Sequence, residues 1–333
     1  MEKKIATIQD VAAEAGVSTA TVSRTLSKPS VVAKATREAV LAAVERTGYR
    51  VNTTASNLRR QRTGSVIALI PNLANPFFSQ ILAGVNSVLQ PAGYGLLVTD
   101  TQAGPFPEDR MSSYLQSAIA DGIILFDGTL SPAPLAMAGR PPVIMACEWM
   151  DDSLPSVRTE NARGAELAVA HLVEMGHRRI GHVLGPRGNV LSEDRLSGFC
   201  KVVQENGLEA REDWIFDGDF SMDAGAAAGE VWMGLEDRPT ALFCASDEMA
   251  IGFMGAVQHK GFSVPQDVSL VGFDNIEVVG HLTPALTTIR QRRTQVGERA
   301  ARLLLDMIEA GTLTGPSEVI EVSLIRRDSV ARI

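Results

Sequence analysis

The stretch "TIQDVAAEAGVSTATVSRTLS", residues 7–27, decides how the chain begins to fold. Thr7 can close the start of a helix with its hydroxyl, and Asp10, three residues on, can return a bond to the Thr7 backbone N–H. Ile8, Val11, Ala12 and Ala15 then recur at helical spacing and form one apolar face. Gly16 breaks that helix, and Ser18 can cap a second in which Val22 and Leu26 face inward. Two short helices joined by a tight glycine turn, with alanines small enough to let them cross closely, make a helix-turn-helix. A third helix is expected over roughly 34–47, with Val40, Leu41 and Val44 apolar and Gly48 as its stop.

In such a unit the start of the second helix enters the major groove of DNA. That places Thr19, Ala20 and Arg24 near base edges, and Ser18, Thr21 and Ser23 near phosphates. Arg24 can donate two hydrogen bonds to a guanine edge, discriminating between bases by ~1–3 kcal/mol. The plainer alternative is a surface arginine on a small helical bundle. Charge distribution favours DNA, although the whole chain of 333 residues carries −8. Residues 1–62 hold eleven Lys/Arg against five acids, or +6, leaving 20 basic and 34 acidic residues, or −14, in the remainder. A small basic head on a large acidic body directs only the head toward a polyanion.

At 45% hydrophobic residues the chain can bury more than one core, and its length suits two or three domains. No run approaches a membrane span, and the N-terminus has no long apolar segment of the signal-peptide kind, so a cytoplasmic protein is expected. Cys147, Cys200 and Cys244 are odd in number and far apart, which implies no disulfide framework and fits a reducing compartment. The five histidines do not cluster with cysteines at metal-ligand spacing. No glycine-rich phosphate loop follows a strand, and no nucleophile–base pair can be argued from spacing, so neither a cofactor nor an enzyme is expected.

From Gly64 onward apolar strands alternate with amphipathic helices. SVIALI (65–70), YGLLVTD (94–100), DGIILF (121–126) and PVIMA (142–146) form one series, with a helix beginning near Phe77. A second series runs through a helix at 161–175, RIGHVLG (179–185), a helix through Phe199, TALFCAS (240–246), a helix at 247–260 and VSLVGFD (268–274). This alternation implies two doubly wound parallel-sheet lobes with a ligand cleft at the strand ends.

The run T-I-x-D-V-A-x-x-A-G-V-S-x-x-T-V-S-R-x-L, then T-R-E-x-V and G-Y-x-x-N-x-x-A-x-x-L, resembles the LacI/GalR family of bacterial repressors. IPNLANPFFSQILAGV, EMGHRRIGHVLGP, RLSGF, SDEMAIGFM, PQDVSLVGFDN and LTTIRQ extend the resemblance over essentially the whole chain, with the cytidine-responsive branch nearest in appearance. It implies an all-α helix-turn-helix headpiece (1–50), a hinge helix or linker (51–63) and an α/β effector core like type I periplasmic sugar-binding proteins (64–333). The core divides into an N-lobe of about 64–161 and 291–320 and a C-lobe of about 162–290 and 321–333. One departure is Ala33, where the family often has a serine capping the third helix; a lost cap costs ~1 kcal/mol.

The resemblance implies a repressor that binds a near-palindromic double-stranded operator as a homodimer. A sugar, polyol or nucleoside effector would shift its DNA affinity. A transport-type solute-binding protein is the alternative, disfavoured by the basic head. DNA contacts are implied for Thr7, Ser18, Thr19, Ala20, Thr21, Ser23 and Arg24, and in the linker for Asn52, Ala55 and Leu58. Effector contacts are implied for Asn75, Phe77, Phe78, Arg195 and Asp274, with Phe220 and Gln291 weaker and Ser246 standing where relatives often have asparagine. Glu148 and Trp149 replace an aspartate or arginine of many sugar-responsive members. They either recognise a polyol, saccharide or nucleoside, or leave Glu148 solvated and Trp149 outside the cleft. Dimer surface is expected from Ile81, Leu82, Val85 and Leu89 and from Val296, Leu303, Leu304 and Leu305, core packing being the competing role. With no leucine-heptad extension after the last expected strand, SEVIEVSLIRRDS, a dimer is favoured over a tetramer.

The linker "NTTASNLRRQRTG" (52–64) contains one large apolar residue, Leu58. Ala55 and Leu58 share a helical face, but so short a helix is marginal alone in water. The segment resembles the family's hinge helix, and the resemblance implies that it pairs with its dimer mate in a minor groove, wedging Leu58 into a base step while Arg59, Arg60 and Arg62 attract phosphates. Replacing Leu58 with glycine is expected to weaken operator binding and reduce DNA bending in gel-shift assays while sparing ligand binding; unchanged affinity and bending would make the segment a simple tether.

Overall fold

The computed structural model describes residues 6–27, 29–49, 62–102, 112, 114–115, 119–150 and 153–333. Most of the expected hinge segment, with Asn52, Ala55, Leu58, Arg59 and Arg60, lies outside the described residues. The chain divides into two compact units, Met1–Thr63 and Gly64–Ile333.

The first unit contains helices α1 (Ile8–Ala15), α2 (Thr19–Ser27) and α3 (Lys34–Thr47). Thr7 N–H donates to Asp10 Oδ2 at 2.7 Å and Asp10 N–H donates to Thr7 Oγ1 at 3.4 Å, so both halves of the capping box are made. Gly16 and Gly48 end their helices at φ 65°, where a side chain would be strained. Ser18 Oγ accepts from Thr21 N–H at 3.1 Å and starts α2, whereas Ala33 supplies α3 with no side-chain cap. Val11, Ala12, Val22, Val40 and Ala43 form the core, and Ile8, Ala15, Leu26 and Val44 pack around it. Leu41, expected among the apolar positions of α3, is instead half exposed. The buried stripe of α3 follows Val40, Ala43 and Val44, and Leu41 stands one position off it.

The second unit comprises β1 (Ser65–Ile70), α4 (Phe77–Leu89), β2 (Gly95–Asp100), β3 (Gly122–Leu125), β4 (Val143–Ala146), β5 (Ser156–Thr159), α5 (Asn161–Glu174), β6 (Ile180–Val183), α6 (Val190–Glu205), β7 (Ile215–Phe216), α7 (Met222–Gly234), β8 (Ala241–Cys244), α8 (Asp247–His259), β9 (Ser269–Asp274), β10 (Thr287–Arg290), α9 (Arg293–Ala310), β11 (Glu318–Ile320) and β12 (Ser323–Ile325). They build two six-stranded sheets of matching order, β2-β1-β3-β4-β5-β11 and β7-β6-β8-β9-β10-β12. Every pairing is parallel except that of β10 with β12.

The central strands of both sheets are buried on both faces, which is why they read as continuous apolar runs. In β1, Val66, Ala68 and Ile70 enter one core while Ile67 and Leu69 enter another. In β8, Leu242 and Cys244 point one way and Ala241 and Phe243 the other. The chain passes between the sheets three times, after β5, after β10 and between β11 and β12. The last segment, expected as one strand, is therefore two: Glu318–Ile320 completes the first sheet and Ser323–Ile325 the second.

The surface expected on α4 and α9 is also different. Ile81, Val85 and Leu89 of α4 and Val296 and Leu304 of α9 are buried, and Leu82, Leu303 and Leu305 pack in the same cluster. Each helix turns its apolar stripe to the other and to the sheet, so these residues are core. The helices approach so closely that a side chain at Gly297 would collide with the Ile81 carbonyl. Gly297→Val is expected to lower unfolding stability by ~2 kcal/mol or more in denaturant titration, because the clash is with backbone that cannot rotate away.

Candidate functional site

On the headpiece, burial of Val22 on one side of α2 leaves Thr19, Ala20 and Arg24 exposed on the other, with Ser23 half-buried beside them. Arg24 forms no ion pair among the described residues. Ser18 and Thr21 are tied together, their hydroxyls 2.9 Å apart. Thr7 is exposed at the start of α1. The exposed face of α2 thus presents short polar side chains in its first turn and one guanidinium, Arg24, in its last.

In the second unit the C-terminal ends of β1, β3 and β4 of one sheet and of β6, β8 and β9 of the other border one cavity of about 300 Å³. The order of each sheet reverses between β1 and β3, and between β6 and β8, and such reversals open a crevice at the strand ends. Asn75, Phe77, Phe78, Glu148, Arg195, Phe220, Ser246 and Asp274 all line the cavity. Asn75 Oδ1 accepts from Phe77 N–H at 2.8 Å, closing the start of α4 and leaving its amide N–H groups as donors. Phe77 is partly exposed, whereas Phe78 is buried edge-on against Phe77 and Phe126.

Arg195 is 2% exposed. Its Nε and Nη2 donate to Asn161 Oδ1 at 3.0 and 2.9 Å, and its Nη1 donates to the Ala245 carbonyl. The guanidinium lies over the Phe273 ring, 3.9 Å from the centroid, and 5.5 Å from that of Phe220. Arg195 makes no ion pair with its chain neighbours Glu193 and Asp194. Glu148 is also buried: Oε2 accepts from Gly128 N–H at 2.7 Å and Oε1 accepts from Asn189 Nδ2 at 2.8 Å, a bond that crosses the cleft. Asp274 Oδ1 accepts from Gln291 Nε2 at 2.7 Å, and Gln291 Oε1 accepts from Thr159 Oγ1 at 2.9 Å. Ser246 Oγ caps α8, accepting from Met249 N–H at 3.2 Å.

Two expected residues stand elsewhere. Trp149 does not line the cavity; its ring carries the Arg158 guanidinium 4.5 Å from its centroid. Gln291 is buried behind Asp274 and holds it.

Residues 7–52 match the family described as bacterial regulatory proteins, lacI family, and residues 169–330 match the periplasmic binding protein-like domain. The HTH-type transcriptional repressor CytR of Escherichia coli (strain K12) is 35% identical over 332 residues, 98% of this chain and 97% of its own. The HTH-type transcriptional repressor PurR of Aliivibrio salmonicida (strain LFI1238) is 35% identical over 311 residues, 92% of this chain and 93% of its own. The chain belongs to the lacI family of bacterial regulatory proteins. Among solved structures, the lac repressor dimer bound to operator and the anti-inducer ONPF superposes with a TM-score of 0.85 at 28% identity, covering 98% of this chain and 100% of that one. The transcriptional regulator CelR–cellobiose complex gives 0.74 at 32% identity, covering 97% and 99%. Like its relatives, this lacI-family member is a transcriptional repressor.

Several cavity residues of the repressor were not singled out by sequence. Asp127 is 2% exposed, with Oδ2 accepting from Thr101 Oγ1 at 2.5 Å and Oδ1 from Thr129 Oγ1 at 2.5 Å. Asn189 caps α6, and Glu248 and Asp219 also face the cavity. Asp127 and Asn189 follow strand ends, a positional signal that could have found them. Arg293 carries no such signal: only the fold shows its Nη1 donating to the Phe77 carbonyl at 3.2 Å and its Nη2 to the Asn275 carbonyl at 3.0 Å, joining one lobe to the other.

The site stores unfavourable free energy. Cys147, Phe220 and Asp274 have φ of 67°, 70° and 124°, a region that side chains avoid. Burial pushes Asp274 up to about 6 against the pull of Arg195 and Arg293. Burial and the Asp274 charge push Glu248 up to about 7, and burial raises Glu148 and Asp247 as well. These carboxyls hold protons more tightly folded than unfolded, so their contribution is favourable below about pH 4 and is lost as pH rises through 6–7. Asp274→Asn keeps an oxygen for the Gln291 bond and removes one such charge. Its melting temperature is expected to exceed wild type by a few degrees at pH 8, with the gap closing toward pH 4 in differential scanning fluorimetry.

Proposed function

We propose that this repressor binds near-palindromic double-stranded operator DNA as a homodimer and that a small sugar, polyol or nucleoside, held in the cleft between its lobes, shifts its DNA affinity. The protein acts in the cytoplasm and catalyses no reaction. In the headpiece, Thr19, Ala20 and Arg24 read base edges, and Thr7, Ser18, Thr21 and Ser23 approach the phosphates, with Asn52, Ala55 and Leu58 of the hinge segment in the minor groove. In the core, Asn75, Phe77, Phe78, Glu148, Arg195, Phe220, Ser246 and Asp274 surround the effector, and Gln291 positions Asp274. A single headpiece makes too few base contacts for useful specificity, which is the physical reason for a two-fold dimer. The edge strand β2, with Leu97 44% and Val98 37% exposed, offers apolar surface for one.

One observation carries the effector reading. Polar side chains from both lobes converge on a single cavity, and the Asp274–Gln291–Thr159 chain ties that cavity to two of the three crossovers. A ligand that contacts both lobes changes their relative free energy, and a coupling of ~1–3 kcal/mol between effector and operator is typical of such arrangements.

Deletion of residues 1–62 is expected to abolish operator binding while thermal stabilisation by ligand persists. A headless core that still retarded specific operator DNA would overturn the assignment. Arg24→Ala is expected to relax base preference at one operator position by ~1–3 kcal/mol in competition gel shifts. Arg195→Ala or Asp274→Ala is expected to abolish the effector response and leave DNA binding intact.

A further inference from the structure

We infer that the cleft takes an uncharged, hydroxyl-rich ligand and rejects its phosphorylated counterpart; this deepens the effector reading above and rests on it. Helices α4, α6, α7 and α8 all begin at the cavity, since Phe77, Leu191, Ser221 and Ser246 stand at their starts and line it. Four helix N-termini around one cavity would ordinarily make an anion site, because their unpaired N–H groups and dipoles point inward.

Here that capacity is used internally. Asn75 accepts from Phe77 N–H at 2.8 Å just before α4, Asn189 accepts from Leu191 N–H at 2.9 Å, Ser221 Oγ accepts from Ala224 N–H at 3.1 Å, and Ser246 caps α8. Glu193, Asp223, Asp247 and Glu248 add acids to the first turns of α6, α7 and α8. Three of the four positive helix ends thus carry carboxylates of this chain in their own first turns.

What remains for a ligand is acceptor-rich. Asp127, Glu148, Asp219, Glu248 and Asp274 line the cavity, and among the described lining residues only Arg195 is a cation. Three of the five Arg195 N–H groups are committed to Asn161 and Ala245, and its face is covered by Phe273. A carboxylate wall accepts hydrogen bonds from hydroxyl or amino groups and repels a second anion, at a cost that grows as water is excluded. Phe77 from one lobe and Phe220 from the other, each partly exposed, supply apolar faces suited to a sugar's C–H surface or a base ring. The raised affinity of Glu248 and Asp274 for protons, each burdened by burial, is the same property seen from within.

The test uses the full-length chain in isothermal titration calorimetry and thermal shift at pH 7.5 with matched pairs: cytidine and cytidine monophosphate, ribose and ribose 5-phosphate, glucose and glucose 6-phosphate. Inorganic phosphate serves as a further probe, at ionic strength matched with chloride. Binding is expected only from the uncharged members, each phosphate ester on the order of 100-fold or more weaker than its parent. Inorganic phosphate is expected to stabilise no more than chloride. Glu248→Gln should narrow the gap between parent and ester. A phosphate ester that binds as tightly as its parent, or inorganic phosphate that stabilises beyond chloride, with the effect lost in both Asp274→Asn and Phe77→Ala, overturns the proposal. Binding of a parent compound that survives both of those substitutions overturns the cleft reading instead, because the ligand would then sit elsewhere.

Discussion

Gln291 is the amide on which the core turns. It lies where the chain leaves the second sheet for the first, donates to Asp274 at the floor of the cleft and accepts from Thr159 at the end of a first-sheet strand. All three side chains are buried, so breaking either bond strands a polar group without water, at ~1–3 kcal/mol. Lobe movement must therefore either carry the three residues together or exchange one defined set of bonds for another. Arg293, two residues on, adds a second tie, from the carbonyl of Phe77 to that of Asn275. Both residues sit at the crossover between β10 and α9.

The cleft itself is built at the expense of stability. Three lining residues hold left-handed backbone, and several carboxyls are buried close to one another. Such features persist only where surrounding packing over-determines them. Here the packing is ample, since the central strands of each sheet are covered on both faces and α4 and α9 meet at backbone-to-backbone distance through Gly297. The Glu148–Asn189 bond across the cleft joins the two lobes while leaving both residues at the cavity wall.

Charge divides the labour between the two units. The head concentrates positive charge within sixty-two residues, while the body is acidic on balance and lines its cavity with several of its acids. Long-range attraction therefore brings only the head to a polyanion, and the same acidity that keeps the body off nucleic acid selects the chemistry of what enters its cleft.

The sequence by itself determined the local elements, because these depend on neighbours a few residues apart. Capping at Thr7 and Ser18, the stops at Gly16 and Gly48, and the alternation of apolar strands with helices were legible from period and turn chemistry, and the family motifs then pointed to eight of the residues lining the cavity. The tertiary structure alone decided which apolar stripes face inward. It made core of Ile81, Val85, Val296 and Leu304, left Leu41 at the surface, and divided the final strand between two sheets. It also turned Trp149 from the cavity, set Gln291 behind Asp274, and brought Arg293 to a position no spacing announced. The reason is that a hydrogen bond such as Glu148–Asn189 joins residues 41 positions apart in sequence. Only the packing of two sheets against their crossovers fixes such a distance.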